Sequence, residues 1–346
     1  MSPDRLTCLV PTYNRPEFLR RLFLFYQQFP LPCSFLIADS SEPAAKVENQ
    51  AIIQDARHTL DITYRHFNVD LTTKCSQALQ QVQTPYVVLC ADDDYLLPLA
   101  LQHCVEFLED HPDYSVAQGI MAIVNRPGKP PYATAGYSLE DEDAITRCRK
   151  MFRFNFTTFY GINRTANLRS NFQITTTNID CAHSHFFPEL MLSQLSVIRG
   201  RVKVLPEIFY LHEEHDANFA RTPKVSDPSR AIELEQQFRA CLSSQYEPLG
   251  VSRTQAEQLV QKWYGLLPGL GLTQSDQFML RSLRRFLNRT WRQVMNLVAK
   301  DGTVYRRSLR AADWSGQEAA WQEAIHLMTT FPKGISLTEV ATKRAA

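Results

Sequence analysis

The sequence lacks several patterns that would assign it to common classes of protein. Its 8 cysteines include no Cys-x-x-Cys pair and no zinc-type spacing, so a structural zinc site is not indicated. No apolar run approaches the length of a membrane span, and the first residues lack the apolar segment of a signal peptide. We therefore expect no transmembrane segment and a cytoplasmic location, with attachment to the periphery of an inner membrane left open.

Neither sign of charge is in excess. Lys and Arg number 37 and Asp and Glu 36, which gives a net charge of +1 and does not suggest a nucleic-acid partner. With 44% hydrophobic and 21% charged residues the composition is that of a globular protein. The 346 residues suffice for one large domain or two to three smaller pieces.

Glycine-rich phosphate loops are also absent. The chain contains no Gly-x-Gly-x-x-Gly sequence and no Walker sequence. If the protein binds a nucleotide, its phosphate charge must therefore be met by a metal ion and by Lys or Arg side chains.

Short apolar runs alternate with helical periodicity in the first third of the chain. This alternation predicts an α/β fold with a mostly parallel sheet flanked by helices. The first helix carries an apolar stripe, with Arg20 and Arg21 expected on the opposite face. Later, 139–154 is expected to be helical, 157–164 strand-like and 197–205 a hairpin turned at Gly200. The expected strands of the first part are 6–10, 34–38, 62–67, 86–90 and 115–124.

Long helical stretches follow residue 227 and predict a C-terminal helical extension. These stretches are 230–243, 254–266 and 275–298, and their regularly spaced apolar residues indicate a bundle core. Homo-oligomerisation through these helices is left open.

Three consecutive carboxylates, Asp92, Asp93 and Asp94, follow the apolar run 86–90. A run of this kind predicts a strand buried on both faces, so the carboxylates must lie where the strand leaves the sheet. Ligands of open α/β sheets bind beyond the carboxyl ends of the strands. A divalent cation would neutralise the three charges, although a solvated turn would also tolerate them.

Three segments together resemble a known family. Residues 9–15 (LVPTYNR), 35–41 (FLIADSS) and 89–94 (LCADDD) are similar to the GT-A nucleotide-sugar glycosyltransferases of the family-two type. The resemblance covers residue 5 to about residue 215 and implies the Rossmann-like GT-A fold. It implies a nucleotide-sugar-binding half at 1–124 and an acceptor-binding half at 125–226. The helical region 227–346, expected from the residue pattern, is not covered by the resemblance.

The resemblance also implies which residues bind the donor. Pro11, Tyr13 and Arg15 match the loop that holds the nucleotide, and Asp39 matches the acid at the end of the second strand. Asp39 could accept hydrogen bonds from a ribose hydroxyl or a base N–H, or it could cap a turn. Lys74 is placed near the diphosphate, but a solvated surface lysine is the alternative.

Asp92 and Asp94 match the Asp-x-Asp (DxD) motif of this family, and the resemblance therefore implies Mn²⁺ or Mg²⁺ as cofactor. Asp94 is expected to contact the metal, and Asp92 is expected to contact the metal, sugar or ribose. Asp93 is counted with the donor-binding residues, although it could point away. His215 is the expected third metal ligand, with His212 as the alternative.

A hydroxyl acceptor needs a base near the anomeric carbon. The family uses a carboxylate at the start of a helix in the second half, which implies Glu189, with Asp180 in reserve. The expected activity is metal-dependent, inverting transfer of a hexose from a nucleoside-diphosphate sugar, with a UDP-sugar favoured, to a carbohydrate or other hydroxyl. The alternatives are a nucleotidyltransferase and a non-catalytic scaffold that binds carbohydrate or a protein partner.

Overall fold

A computed structural model describes residues 3–125, 130–134, 136–215, 228–265 and 307–330. Within them ten strands form one mixed sheet in the order β10-β7-β6-β8-β4-β1-β2-β3, and β9 pairs with both β5 and β6. The strands are β1 (Leu6–Thr12), β2 (Ser34–Asp39), β3 (Ile62–His66), β4 (Tyr86–Leu89), β5 (Tyr95–Leu96), β6 (Tyr114–Asn125), β7 (Tyr132–Thr134), β8 (Ile162–Arg164), β9 (Arg201–Glu214) and β10 (Arg307–Ser308).

Helices cover both faces of this sheet, so the predicted α/β class is confirmed. The helices are α1 (Pro16–Gln28), α2 (Pro43–Ala56), α3 (Leu71–Leu79), α4 (Pro98–Asp110), α5 (Ala144–Phe154), α6 (Thr165–Asn178), α7 (Phe186–Arg199), α8 (Ala231–Ser244), α9 (Arg253–Tyr264) and α10 (Glu318–Thr330).

Strands β1 to β4 form the parallel part of the sheet. β1 lies between β2 and β4, and its last residue, Thr12, pairs with Asp39 at the end of β2. All four residues of β4 are buried, as expected for a strand covered by helices on both faces. The parallel register therefore brings Asp39 and the acidic turn after β4 to the same edge of the sheet.

Strand β9 brings a distant segment to this edge. It runs parallel to β6, and its end pairs antiparallel with β5, where Tyr95 faces Leu211. Gly119 of β6 is needed at the crossing, because a Cβ there would lie 2.4 Å from the Glu207 carbonyl oxygen and 2.5 Å from Phe209 Cβ. The consequence is that the last residues of β9 lie beside the acidic turn.

Three expectations about the second half are wrong in their bounds. The expected hairpin at 197–205 is the end of α7 followed by the start of β9. A Cβ at Gly200 would come within 2.8 Å of the Asp113 carbonyl oxygen, so this glycine permits close packing and does not form a hairpin turn. The helix expected at 139–154 begins only at Ala144, where Asp143 caps it, and the strand expected at 157–164 is reduced to β8.

The C-terminal region packs against two different parts of the domain. Leu234, Phe238 and Trp263 of α8 and α9 join the core formed by α5 and α7, whereas Trp321 and Leu327 of α10 join the core of the first half. The helix predicted at 275–298 lies outside the described residues. The domain boundaries and oligomerisation through these helices stay predictions.

The loop before α10 is fastened to the first half of the domain. The Gln317 side chain accepts hydrogen bonds from the backbone N–H groups of Leu99 and Ala100 at 3.1 and 3.2 Å, which satisfies donors in the first turn of α4. In the parts of the chain that the structure describes, no helix has both the length and the apolar character needed to cross a membrane.

Candidate active site

The loop after β1 and the loop after β2 form one wall of the site. Asn14 adopts a left-handed conformation, with φ 53°, and its amide N–H donates to Ser41 Oγ at 2.8 Å. Its side-chain oxygen accepts from the Glu42 amide at 2.9 Å. The loop leaves Tyr13 with an exposed ring, while Pro11 remains within β1. The ring of Tyr13 is therefore open to a planar ligand.

Asp39 is fully buried at the end of β2. Its carboxylate accepts hydrogen bonds from the Ser41 amide at 2.7 Å, Asn49 Nδ2 at 3.1 Å and the Tyr64 hydroxyl at 3.0 Å. A carboxylate offers about four acceptor positions, so these three donors leave capacity for one further donor. Asp39 thus fixes the loop after β2, as the turn-cap alternative requires; its contact with a nucleotide stays a prediction.

Lys74 is buried beneath the same two loops and is not a solvated surface lysine. Its ammonium donates to the Thr12 carbonyl oxygen at 2.7 Å and to Ser40 Oγ at 2.8 Å. Burial lowers the pKa of Lys74 because the charged form loses its hydration. Lys74 therefore joins the ends of β1 and β2, and its predicted contact with a diphosphate remains untested.

The acidic turn after β4 is buried, with each of its three aspartates at most 3% exposed. Asp92 accepts from Thr12 Oγ1 at 2.7 Å and from Arg15 Nη1 at 3.2 Å. The same Arg15 nitrogen donates to Asp93 Oδ2 at 2.9 Å. His215 Nε2 lies 2.9 Å from that Asp93 oxygen. Two carboxylates thus converge on one cationic atom, with an imidazole beside them.

The two adjacent carboxylates differ in their affinity for protons. Burial and the neighbouring charge of Asp93 raise the pKa of Asp92 to about 7, although Arg15 opposes the rise. For Asp93, burial acts in the same direction, but the hydrogen bond from His215 and the charge of Arg15 outweigh it and lower the pKa. The amount of negative charge on Asp92 and Asp93 therefore depends on the cation beside them.

Asp94 faces the opposite way, toward β9. It accepts hydrogen bonds from the Tyr210 hydroxyl at 2.8 Å, from His212 Nδ1 at 3.0 Å and from the Glu213 amide at 2.9 Å. Burial alone would lower the pKa of His212, but the charge of Asp94 and its hydrogen bond raise it to about 9. Protein donors therefore already contact both oxygens of Asp94, whose role as a metal ligand stays a prediction.

Several residues that the sequence analysis missed hold the turn in place. Arg21 is buried on α1, where it donates to the Asp93 carbonyl oxygen at 2.8 Å and pairs with Glu213 at 2.6 Å. The expectation that Arg21 faces away is thus wrong, whereas Arg20 is part of an exposed pair. The helical spacing does place Arg21 on the buried stripe, three residues after Phe18 and four before Phe25, but the partner for its charge lies on the distant strand β9.

The ring of Phe18 is a second feature that the sequence analysis missed. It stacks on His215 with a centroid distance of 5.2 Å, and the guanidinium groups of Arg15 and Arg21 lie 5.5 and 4.9 Å from its centroid. Cation–π contacts of this kind orient both arginines toward the acidic turn.

The two candidate bases have different surroundings. Glu189 is half-buried in the first turn of α7. The pKa of Tyr160 is raised mainly by the burial of its own hydroxyl, and the negative charges of Glu189, Asp94 and Asp93 raise it further. Glu189 and the acidic turn therefore act on the same tyrosine. Asp180 instead contacts Arg230 at 2.6 Å and His183 at 3.0 Å, at the start of α8.

The donor atoms of the acidic turn suit a hard divalent cation. Among the residues that the structure describes, no three His, Cys, Asp or Glu side chains are already arranged as a metal site. Nevertheless, Asp92 and Asp93 share one guanidinium nitrogen, with His215 next to them. Carboxylate oxygens are the preferred ligands of Mg²⁺ and Mn²⁺, and a metal bound here would replace the Arg15 nitrogen.

Comparison of the sequence with models of known protein families finds a match. The family model for glycosyl transferase family 2 matches residues 7–179, half of the 346-residue chain. No curated protein matches the sequence.

Three solved structures of TarS from S. aureus are similar to the chain in fold. TarS 1–349 in complex with UDP-GlcNAc is 14% identical, with 94% of this chain and 89% of that chain covered and a TM-score of 0.58. TarS 1–349 in complex with UDP is 16% identical, with the same coverage and a TM-score of 0.51. In a longer TarS structure, 14% identical and with a TM-score of 0.53, the match covers 94% of this chain and 54% of that one. At such identities the likeness shows the GT-A fold alone.

Proposed function

The chain belongs to glycosyl transferase family 2, and from this membership we propose that it moves a hexose from a UDP-sugar to an acceptor hydroxyl with inversion, with the help of Mn²⁺ or Mg²⁺. One observation carries the proposal. Asp92 and Asp93 converge on a single cationic atom at the sheet edge where open α/β folds bind their ligands.

The donor nucleotide is assigned to the loops after β1 and β2. The exposed ring of Tyr13 offers a stacking surface for the base, and Asp39 retains an acceptor position for a ribose hydroxyl or a base N–H. Lys74 holds the two loops together from below. The choice of UDP is supported by the complexes of TarS with UDP-GlcNAc and with UDP, which have the same fold.

The metal is assigned to Asp92, Asp93 and His215. When bound, it would neutralise the charge that develops on the departing diphosphate. Arg15 holds the two carboxylates together in its absence and is itself suited to a diphosphate oxygen, because a guanidinium pairs well with phosphate. We assign Asp94 to a different task, which is to fix the end of β9 beside the turn.

Glu189 is assigned as the base. It would take the proton of the acceptor hydroxyl while that oxygen bonds to the anomeric carbon and the bond from this carbon to the diphosphate oxygen breaks. Asp180 is less suited, because although burial acts to raise its pKa, His183 and Arg230 outweigh this and lower it. A more acidic carboxyl is a weaker base.

Replacing the base tests this assignment. We expect Glu189→Gln to bind UDP as the wild type does and to lose about 10²- to 10⁴-fold in the rate of transfer, the usual contribution of a general base. The rate is measured as UDP released from a UDP-sugar. If Glu189→Gln turns over at the wild-type rate, the base lies elsewhere, and Asp180→Asn becomes the next variant to measure.

A thermal-shift screen tests the donor. UDP with Mn²⁺ should raise the melting temperature, since a ligand at 100 times its Kd stabilises the folded state by about 2.7 kcal/mol. GDP and ADP with Mn²⁺ are the matched controls and should shift it less. Release of pyrophosphate in place of UDP in the transfer assay would instead indicate a nucleotidyltransferase, and binding without turnover across many acceptors would indicate a scaffold.

The eight cysteines bear on where the reaction takes place. All eight are free thiols in the structure, as is usual for proteins of a reducing compartment. This supports the proposal that the enzyme acts in the cytoplasm.

A further inference from the structure

A cavity lies beside the acidic turn, and two residues of the site described so far, Tyr160 and Tyr210, are part of its lining. It measures about 260 Å³ and lies between β6, β7 and the segment 154–157, and Tyr160 and Tyr210 close one side of it. Gly136 lies against two of the lining side chains, because a Cβ there would lie 3.0 Å from Gln118 Nε2 and 3.1 Å from the Phe156 ring.

The chemistry of the lining is that of a site for an uncharged, hydroxyl-rich ring. Amide and hydroxyl groups come from Gln118, Asn155 and Thr157, and aromatic rings come from Phe154 and Phe156. Of the described residues that line the cavity, none carries a formal charge. A pyranose has an apolar face that packs on aromatic rings and hydroxyl groups that bond to amides, whereas a phosphate would require a cation.

The cavity shares a wall with the acidic turn. The Tyr210 hydroxyl donates to Asp94 at 2.8 Å, and the Tyr210 ring packs on Tyr160 with a centroid distance of 5.1 Å. Tyr160 is also the side chain on which the charges of Glu189 and Asp94 both act. A ligand against these two rings would therefore be separated from the acidic turn by the Tyr210 side chain alone.

The donor diphosphate is assigned to the other side of the acidic turn. Arg15, which bridges Asp92 and Asp93, approaches from the α1 side, whereas Asp94 faces Tyr210 and the cavity. The acidic turn thus separates the charged part of the donor from the uncharged cavity. This separation favours the acceptor as the occupant of the cavity.

We propose that this cavity is the acceptor subsite and that it takes a neutral pyranose ring, not a phosphorylated one. The proposal rests on the glycosyl transfer proposed above and names the class of acceptor for that reaction. Phe154 and Phe156 would hold the ring, and Gln118, Asn155 and Thr157 would orient it so that one hydroxyl points past Tyr160 to Glu189.

Ligand-observed NMR tests the proposal with two probes, methyl β-D-glucopyranoside and glucose 6-phosphate. The full-length protein, saturated with UDP and Mn²⁺, should transfer magnetisation to the neutral glycoside. Thr157→Trp, which fills the cavity, should weaken this binding at least about tenfold, as expected when a pocket is blocked. Arg149→Trp places the same ring at an exposed position of α5 outside the lining and should leave the binding unchanged.

Thr157→Val separates a blocked cavity from a misfolded protein. It keeps the size of the side chain and removes one hydroxyl, so the glycoside should bind a few-fold more weakly, in line with the loss of one hydrogen bond, with the melting temperature unchanged. Equal glycoside binding by wild type and Thr157→Trp would overturn the proposal. Stronger binding of glucose 6-phosphate than of the neutral glycoside would also overturn it.

The same samples show which proposal has failed. UDP binding reports on the donor site and should be equal in all four proteins. If UDP does not bind the wild type, the proposed glycosyl transfer from a UDP-sugar is wrong, while sensitivity of glycoside binding to Thr157→Trp still supports the subsite. If UDP binds the wild type and Thr157→Trp does not change the binding of the glycoside, only the proposal of the acceptor subsite is wrong.

Discussion

Asp92 and Asp93 face the loop after β1, whereas their neighbour Asp94 faces β9. The first two are bridged by a single side chain, that of Arg15. Asp94 is held by a backbone amide and two side chains of one strand, including His212. All three carboxylates are equally buried, so burial alone does not distinguish them.

The difference between the two sides lies in what must move for a ligand to enter. A side chain such as Arg15 can rotate away from Asp92 and Asp93 without a change in the backbone. The donors to Asp94 include the Glu213 amide, so a ligand that took this acceptor position would have to displace the end of β9. This difference supports the proposal that the two carboxylates held by an exchangeable cation bind the metal and that the one held by the strand supports the turn.

The largest expected effect is that of removing the exchangeable pair. Asp92→Asn combined with Asp93→Asn should lower the transfer rate by about 10³-fold, since a Lewis-acid metal contributes several kcal/mol and each 1.36 kcal/mol is a factor of ten. Mn²⁺ binding, followed by EPR of the free ion, should be lost as well. Glu109→Gln, at an exposed pair with Arg5, is the control. If the double variant still binds Mn²⁺ as the wild type does, the metal does not bind at this turn.

Asp94→Asn should act on stability instead. The variant removes the charged partner of His212. This should cost about 2 kcal/mol, less than for a fully buried pair, because the His212 side chain is partly exposed. The free energy of unfolding in urea measures this cost. Asp141→Asn removes a partly exposed partner of Lys150 and should cost less than about 1 kcal/mol.

The opposite result for Asp94→Asn would support the prediction from the DxD pattern that Asp94 contacts the metal. If this variant keeps its stability and loses Mn²⁺ binding, Asp94 is a metal ligand after all. The pattern matches Asp92 and Asp94, and it cannot show which way each side chain points, because that depends on the partners that the fold supplies.

The first half of the domain could be predicted from sequence because its signals are local. Strands β1, β2 and β4 each contain an uninterrupted apolar run, and parallel pairing then places Asp39 and the acidic turn at one edge. The contribution of β9 could not be predicted in this way. Its pairing with β5 joins Tyr95 to Leu211, more than a hundred residues apart, and no local pattern encodes such a contact.

Long-range pairing also explains the errors about individual residues. Arg21 was assigned to the exposed face of α1 because arginine is mostly exposed, but Glu213, brought by β9, gives it a buried partner. Gly200 was interpreted as a hairpin turn, although its role is close packing against Asp113. In both cases the decisive neighbour lies on an element far away in the sequence.

The pairing of His212 with Asp94 should make stability depend on pH. His212 has a folded pKa of about 9, above its ordinary value near 6.5, so its contribution is complete below pH 6.5 and is lost as the pH rises through 9. We expect the free energy of unfolding, measured with a chelator present, to fall by about 2 kcal/mol over this range. This change is smaller than the free energy that corresponds to the whole pKa difference, because the His212 side chain is partly exposed to solvent.

Two histidine variants check the origin of this pH dependence. His212→Gln should remove the decline between pH 6.5 and 9, whereas His103→Gln, at a more exposed pair with Glu207, should keep it. An identical decline in wild type and His212→Gln would show that another group titrates and that Asp94 does not depend on this partner.

The smallest effect tests the exchangeable side directly. If Arg15 occupies the position of a cation between Asp92 and Asp93, then Arg15→Ala removes a competitor and should make Mn²⁺ bind about tenfold more tightly in the absence of nucleotide, as expected when a pair of buried carboxylates loses its cation. Isothermal titration with Mn²⁺ measures this change. Arg20→Ala, one helical turn further along and paired only at the surface, should leave the affinity unchanged. A weaker Mn²⁺ affinity in Arg15→Ala would mean that Arg15 organises the carboxylates for the metal and does not compete with it, and the contrast between the two sides of the turn would then rest on Asp94 alone.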